Sequence, residues 1–447
     1  MVVRVNILNI TLDVAIVFSC PTVFTFLEIS LLFSQIYFRQ NQSKAIDMMI
    51  PDGSTSMYDG ASELQPFKLE RYFAQYEFSV KYMLSCSDPE SVSMRELLSL
   101  ADNESKELWD NLSLGYTESK GHPLLRKEVA KMHDGIGEDD VMIITPQEGI
   151  FLAMKSFHKY CIRNYDDPRP HVIVTFPGYQ SLYENLRSLG CHVDYWKPCW
   201  TESGWIFDLE EFRSLLCPNT RIVVVNFPHN PTGFNPSNEQ WQGIIRICIE
   251  RKLILFSDEM YRLTNNDGSV PNPSACSLYD NAVTLFGLSK TFGLPGLRIG
   301  WLCSRNEDLM SEVAILKDYT TICSSAPSEI LAIIAIRNKN YLLERTMSII
   351  KSNLQTADEF FSRHKDIFDW RSPSAATTTF VPLTDRALSR IGTATELANI
   401  VREKGKVLIV PGCLFGYTDR YFRLGFGRKN LPQVLNVFGD VLKDIFK

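Results

Sequence analysis

From about position 64 the chain alternates between short apolar runs rich in β-branched residues and longer stretches with helical spacing. The runs 141–145, 172–176, 221–225, 253–257, 283–286 and 297–303 are nearly continuous in apolar character. That is the pattern of strands buried on both faces. Between them, 149–159, 180–189 and 239–250 place apolar residues at helical intervals. Strand–helix alternation at this spacing predicts an α/β fold, a mostly parallel sheet with helices on both sides. From about Ala326 the pattern changes. A long helical stretch through Asn353 leads to the strand-like runs 377–383, 407–410 and 421–424, which predict a smaller α+β domain. The expected organisation is a leader over 1–62, a large domain over 63–325 and a small C-terminal domain over 326–447.

The leader departs from this rhythm. Residues 14–33 form an apolar segment about as long as a membrane span, with Glu28 as its one charge. Pro21 and Glu28 both weaken it as a transmembrane helix, and Arg4 is the only basic residue before it. A membrane anchor or targeting segment and an adventitious leader both remain open, so 14–33 is the one expected point of membrane contact. The stretch 51–62, PDGSTSMYDGAS, is rich in turn formers and reads as a linker.

Composition narrows the function classes. The 447 residues are 45% hydrophobic and 22% charged, ordinary values for a globular protein, and the formal net charge is −6. No basic stripe with interleaved aromatics is visible, so nucleic acid is not an expected partner. Eleven cysteines are scattered without a CxxC pair, which reads as reduced thiols in a cytoplasmic catalytic domain rather than a disulfide framework or a metal site.

The candidate chemistry lies where the apolar runs end. Ser289-Lys290-Thr291-Phe292-Gly293 follows the run 283–286. A lysine becomes a nucleophile toward aldehydes only when its amine is partly neutral, which burial or a nearby cation can arrange. Asn226-Phe227-Pro228-His229-Asn230-Pro231-Thr232-Gly233 cannot continue the run 221–225, because two prolines and a glycine force a loop. Ser257-Asp258-Glu259-Met260-Tyr261 puts Asp258 at a carboxyl edge, where open α/β sheets bind ligands. Arg298 lies eight residues after Lys290, in GLPGLRIGW. Any one of these residues alone would pass as a cap, a turn or a surface ion pair. Together, at successive strand ends, Asn230, Asp258, Tyr261, Lys290 and Arg298 point to one ligand site.

The order Asn-Pro-Thr-Gly, Asp-x-x-Tyr, Ser-Lys, Gly-x-Arg resembles the fold-type-I aminotransferases of class I/II. The resemblance covers essentially everything after about Leu64. It implies a pyridoxal 5′-phosphate enzyme with a seven-stranded type of sheet. In that reading Lys290 holds the cofactor covalently and then moves the substrate Cα proton as general base. Asp258 keeps the pyridine nitrogen protonated, Asn230 and Tyr261 bond the ring 3′-oxygen, and Arg298 pairs with the phosphate. Tyr179, in Phe176-Pro177-Gly178-Tyr179, stands where relatives stack a ring on the cofactor face. A core tyrosine at a helix start is the competing reading.

Two departures affect the phosphate site. Ile144-Thr145-Pro146 replaces a common Ser-Gly-small pattern, and Pro146 has no amide to offer, so the contacts are expected from Gln147 or Glu148. Gly287 replaces a phosphate-binding serine, with Ser289 as a partial substitute. Tyr116 and Gly121, in GYTESKGHPLLR, match a family segment whose tyrosine reaches the phosphate of the neighbouring subunit, which implies a homodimer. Arg423 is the candidate for the substrate α-carboxylate, because an arginine on an apolar strand is costly unless paired.

The cofactor fixes an electron sink at the amino acid's Cα without fixing its use. Transamination of an amino acid with a 2-oxo acid is the leading reading. The stretches 67–78, 145–157, 175–190, 257–262 and 316–329 also resemble capreomycidine-synthase-like sequences. That implies loss of a β-hydroxyl from a basic amino acid and ring closure. A non-catalytic or regulatory relative is the third reading, opposed by the retention of Lys290, Asp258 and Arg423.

Overall fold

The computed structural model of the chain describes residues 63–447 and, before them, only the backbone of two strands, Val2–Ile7 and Ile10–Ala15. Those two strands pair antiparallel and belong to a unit separate from Gly60–Lys447. Of the apolar segment 14–33, residues 16–33 lie outside the described residues, as does the turn-rich stretch 51–62. No helix among the described residues is long and apolar enough to cross a membrane.

The main unit begins with helix α1 (Lys68–Tyr76) and is organised by a seven-stranded sheet. Its strands are β1 (Val141–Ile144), β2 (His171–Thr175), β3 (His192–Trp196), β4 (Thr220–Asn226), β5 (Ile254–Asp258), β6 (Ala282–Gly287) and β7 (Gly300–Cys303). They lie in the order β1-β7-β6-β5-β4-β2-β3. β7 runs antiparallel to both neighbours, and every other adjacent pair is parallel. The expected mostly parallel sheet is the one observed.

Residue alternation along the strands shows why these runs are apolar throughout. Val172 and Val174 of β2 pack into one core with Phe157 of α2 (Pro146–Tyr165) and Leu182 of α3 (Ser181–Ser188). Ile173, between them, packs on the other face with Trp241 and Ile244 of α4 (Asn238–Arg251). Both faces are covered, so neither parity can be polar. Pro146 occupies the first turn of α2, where its missing N–H costs nothing. A capping box between Ser237 and Gln240 starts α4.

Some predicted elements are corrected. The run 297–303 is strand only from Gly300, because Pro295–Leu297 forms a tight 3-10 turn and Arg298 takes a left-handed conformation with φ of 55°. The strand β3 has no counterpart among the predicted runs. It is a sheet edge, so its His and Asp residues face partly outward and break the apolar signal. The long helical stretch 326–353 is two helices, α5 (Ala326–Arg337) and α6 (Lys339–Arg363), broken at Asn338.

Ile330–Ile336 of α5 pack with Val141, Ile143 and Trp301 against the large sheet. A separate core gathers from Ile350 onward, joining Phe360 and Phe361 of α6 to Phe422, Leu424 and Phe438 of α7 (Leu431–Phe446). It covers a three-stranded antiparallel sheet of β8 (Thr378–Pro382), β9 (Val410–Pro411) and β10 (Tyr421–Gly425), in the order β8-β10-β9.

The segment 82–87 stitches the two cores together. Tyr82–Met83 pairs parallel with Val407–Leu408, and the Gly425 N–H donates to the Leu84 carbonyl at 2.9 Å. Gly425 must be glycine, since a Cβ there would stand 1.9 Å from the Cys86 carbonyl oxygen. Gly425→Ala is therefore expected to destabilise the protein by about 1–3 kcal/mol, the usual cost of overpacking against backbone. Thermal unfolding of the variant should show a midpoint lowered by several degrees. An unchanged midpoint would show that 84–87 can step aside freely.

Candidate active site

The parallel strands β4, β5 and β6 deliver their last residues to one edge. The register sets Asp258 opposite Asn226, and the chain then leaves the sheet through the loops that carry Asn230, Tyr261 and Lys290. Asp258 is 5% exposed, and its Oδ1 accepts the Met260 N–H at 3.1 Å. Burial pushes its carboxyl up to about 7. The Met260 N–H and the Lys290 charge oppose the rise, and Glu259 adds to it.

Asn226 organises the loop after β4. Its Nδ2 donates to the Asp258 carbonyl at 3.0 Å, and its Oδ1 accepts the Asn230 N–H at 2.9 Å. Inside the same loop, fully buried His229 has one ring nitrogen 2.7 Å from the Thr232 hydroxyl oxygen. Burial pushes the imidazole down to about 3, so it is neutral and braces the turn. Gly233 (φ 74°) closes the loop where a Cβ would stand 2.5 Å from Pro373.

The loop presents the Asn230 side chain to Arg423. Arg423 Nη1 donates to Asn230 Oδ1 at 3.2 Å, and Nη2 donates to the Ser85 carbonyl at 2.9 Å. The arginine is 1% exposed, lies against the rings of Phe73 and Phe415, and its Nε has no partner among the described residues. No carboxylate among them pairs with it. Burial alone pulls its guanidinium below the usual arginine range. Lys290, half-buried, donates from Nζ to Ser87 Oγ at 2.9 Å. Tyr261 is 3% exposed. The Tyr179 hydroxyl donates to Glu70 Oε1 at 2.8 Å, with its ring centroid 4.7 Å from that of Phe67.

An anion cradle adjoins these residues at the start of α2. The first backbone bond of that helix runs from Gly149 N–H to the Thr145 carbonyl, so the amides of Gln147 and Glu148 precede its ladder. The Thr145 hydroxyl donates to the Arg298 carbonyl at 3.1 Å, which sets Arg298 beside this helix end. Arg298 itself is exposed, with Nη1 donating to the Pro295 carbonyl at 2.8 Å. Ser289 Oγ is buried without a partner among the described residues. The Gln147 side chain donates from Nε2 to Ser181 Oγ at 2.8 Å. The Glu148 carboxylate is taken by the Thr320 and Thr321 hydroxyls. What the helix start offers is therefore backbone N–H. The two sequence departures prove to be one adjustment. A Cβ at Gly287 would meet Gly300 Cα at 2.9 Å, and one at Gly300 would meet the Pro146 ring at 2.7 Å. The proline ring excludes a side chain at Gly300 on β7, and the Gly300 backbone in turn excludes one at Gly287 on β6.

The sequence model for the family Aminotransferase class I and II matches residues 93–437. The chain belongs to this aminotransferase family. Capreomycidine synthase of Streptomyces vinaceus is 30% identical over 256 residues, which is 57% of this chain and 63% of that protein. A probable aspartate aminotransferase of Methanocaldococcus jannaschii is 26% identical over 344 residues, 74% of this chain and 84% of the relative. Among solved structures, a PLP-dependent aminotransferase from Streptococcus suis superposes with a TM-score of 0.76 at 27% identity, covering 86% of this chain and 98% of the other. The PLP-dependent cyclase OrfR, also at 0.76, is 24% identical and shares the fold, covering 87% of this chain and 100% of its own.

The family's cofactor is pyridoxal 5′-phosphate, and the residues present fit it. A phosphate dianion needs donors, and the Ser289 hydroxyl, the first amides of α2 and Arg298 are donors that could supply them. A protonated ring nitrogen would need a buried carboxylate beside it, and Asp258 is a buried carboxyl that such a cation would ionise. Tyr116 stands apart from this cluster at 90% exposure. The neighbouring turn is held by Glu329, whose Oε2 accepts from the Thr117 hydroxyl at 3.0 Å and the His122 N–H at 2.8 Å. Sequence reasoning missed Ser85, Ser87, Glu70 and Asn226. Asn226 at least opened the loop that follows a predicted strand. Residues 84–90 carry no period, and tertiary pairing, of 82–83 with 407–408, of Leu84 with Gly425 and of the Ser87 carbonyl with the Thr377 hydroxyl, brings Ser87 to Lys290.

The raised carboxyl of Asp258 gives a pH test on the cofactor-free protein. Between about pH 4 and about pH 7 the folded chain keeps a proton that the unfolded chain has released, so this group makes stability fall as pH rises. Asp258→Asn removes the titration and retains an acceptor for the Met260 N–H. The variant should gain thermal stability over the cofactor-free wild type as pH goes from 5 to 8, with little difference at pH 4. Parallel melting curves across that range would mean that Asp258 is ionised throughout.

Proposed function

We propose that this enzyme transfers the amino group of an α-amino acid to a 2-oxo acid. The observation that carries the reading is Arg423: a fully buried guanidinium with neither an anion nor an Nε partner among the described residues, suited to a substrate α-carboxylate. Bound pyridoxal phosphate supplies the electron sink for the pair left at Cα. Arg423 and Asn230 fix the carboxylate and thereby orient the Cα–H. Lys290 holds the cofactor at rest and, once released, takes the Cα proton on Nζ as general base and returns it in the second half of the step. Asp258 would hold the ring nitrogen protonated. Tyr261 and Asn230 would donate to the 3′-oxygen, and Tyr179 would cover one ring face. Ser289, Arg298 and the backbone amides of Gln147 and Glu148 would hold the phosphate.

A homodimer completes this reading. Leu114, Tyr116 and Tyr319 are 84–90% exposed. Tyr319 adjoins Thr320 and Thr321, which bond Glu148 at the phosphate-facing end of α2. Large apolar residues left uncovered beside a site are what a second subunit would cover, and Tyr116 would then reach the other chain's phosphate. A second reading, elimination of a β-hydroxyl followed by ring closure, is favoured by the 30% identity to a capreomycidine synthase. It uses the same residues.

Borohydride reduction of the holoenzyme should fix the cofactor on Lys290 and leave none fixed in Lys290→Ala. An adduct mapped to another lysine would overturn the assignment. Arg423→Gln should raise KM for the amino acid by roughly 10- to 100-fold, the loss expected of one charged hydrogen bond at about 1.5–3 kcal/mol. Mass spectrometry separates the two reactions. Transamination requires the 2-oxo acid and converts it to its amino acid, whereas elimination proceeds without it and removes one water.

For the dimer, Lys290→Ala and Tyr116→Ala are mixed after each is shown to be inactive. Heterodimers should regain activity, because one of their two sites then holds both residues intact. Inactive heterodimers would place the whole site within one chain.

A further inference from the structure

The helix α1 borders the proposed carboxylate site, with the Phe73 ring lying over the Arg423 guanidinium. Glu70 and Phe73 lie on one face of this helix, and Glu77, just past its end with αR backbone angles, continues that face at i, i+3 and i+7. Two contacts locate the face. The Tyr179 hydroxyl is bonded to Glu70 Oε1 at 2.8 Å, and the Phe73 ring centroid lies 5.7 Å from the Arg423 guanidinium carbon. Glu77 follows one turn later, its N–H bonded to the Phe73 carbonyl at 2.8 Å.

The helix is fixed in place from both sides. The Tyr72 hydroxyl donates to the Ile409 carbonyl at 2.9 Å, and the Lys68 N–H donates to Gln180 Oε1 at 3.0 Å. The two carboxylates are nevertheless underused. Both residues are half-buried, and among the described residues Glu70 accepts only from Tyr179 while the Glu77 carboxylate has no hydrogen bond or ion pair. The nearest basic groups are engaged elsewhere: Arg428 bridges Asp88 at 2.5 Å, and Lys290 bonds Ser87. Burial, and after it the charges of Asp88 and Glu70, push the Glu77 carboxyl up, a condition that an arriving cation relieves. The second observation is Arg423 itself, 1% exposed and seated on this same face with an unpartnered Nε. It calls for an anionic group at one end of the ligand, while the carboxylates call for a cation at the other.

We propose that the Glu70–Phe73–Glu77 face selects an amino acid whose side chain ends in a guanidinium or an ammonium, with Phe73 covering its methylenes. The inference rests on the Lys290 and Arg423 roles proposed above. The test titrates the holoenzyme with L-arginine, L-lysine, L-norleucine and L-glutamate and reads binding from the cofactor absorbance, with amino-acid consumption followed in parallel. Lysine or arginine should bind at least about tenfold more tightly than norleucine, a difference of about 1.4 kcal/mol. Glu77→Gln and the double variant Glu70→Gln/Glu77→Gln should collapse that ratio toward one, and Glu77→Asp should restore part of it. Preference for norleucine or glutamate, or variants that weaken all four ligands equally, would overturn the proposal while leaving the transfer reaction standing. If no amino acid alters the absorbance or is consumed, the proposed function fails and takes this inference with it.

Discussion

Arg423 is buried with more donors than the surrounding chain has acceptors, and much of the molecule is arranged to hold it so. Its strand, β10, lies in the middle of the small sheet, between β8 and β9. The segment 84–87 crosses that strand so closely that Gly425 can carry no side chain, and from there Ser85 offers its carbonyl. The loop after β4 supplies Asn230. Burying a guanidinium costs several kcal/mol unless it is paired, and among the described residues no acceptor meets its Nε, which is what suits it to the carboxylate proposed for it. Three separate stretches of chain, 84–87, 226–233 and 421–425, are committed to holding it.

The cofactor side follows from a different constraint, the parallel sheet. Strands covered by helices on both faces can expose polar groups only where they end, and β4, β5 and β6 end together. Asp258 is buried there with a single backbone donor on its carboxylate, which is why its proton is hard to remove without a cation nearby. The phosphate side shows how two unusual residues can compensate each other. Pro146 removes an amide and inserts a ring, glycine at 300 makes room for that ring, and glycine at 287 makes room for the backbone of β7. What remains for the phosphate is the backbone of Gln147 and Glu148, the Ser289 hydroxyl and Arg298.

The large sheet was legible along the chain, and so were the residues of the proposed site that follow its strands, because both are written locally. Continuous apolar runs identify strands buried on two faces, and the residues just after them identify the ligand edge. The elements that were misread failed for physical reasons. β3 is an edge strand with outward histidine and aspartate, so its apolar signal is diluted. The run before β7 mixes a turn with a strand, and apolar character alone cannot separate them. The helical period across Asn338 is unbroken in apolar content, although the helix is not.

The sequence by itself determined the α/β architecture, the family, and the identity of the lysine, aspartate, asparagine and tyrosine that stand at strand ends, because strand periodicity and loop-forming motifs are short-range. Only the tertiary structure decided what surrounds them. Ser87 reaches Lys290 across 203 positions of chain, and Ser85 reaches Arg423 across 338. Glu70, Phe73 and Glu77 form a wall of the site because α1 docks between Gln180 and Ile409. Such contacts have no period and no motif. They arise from the packing of one core against the other, which is information that no window of sequence contains.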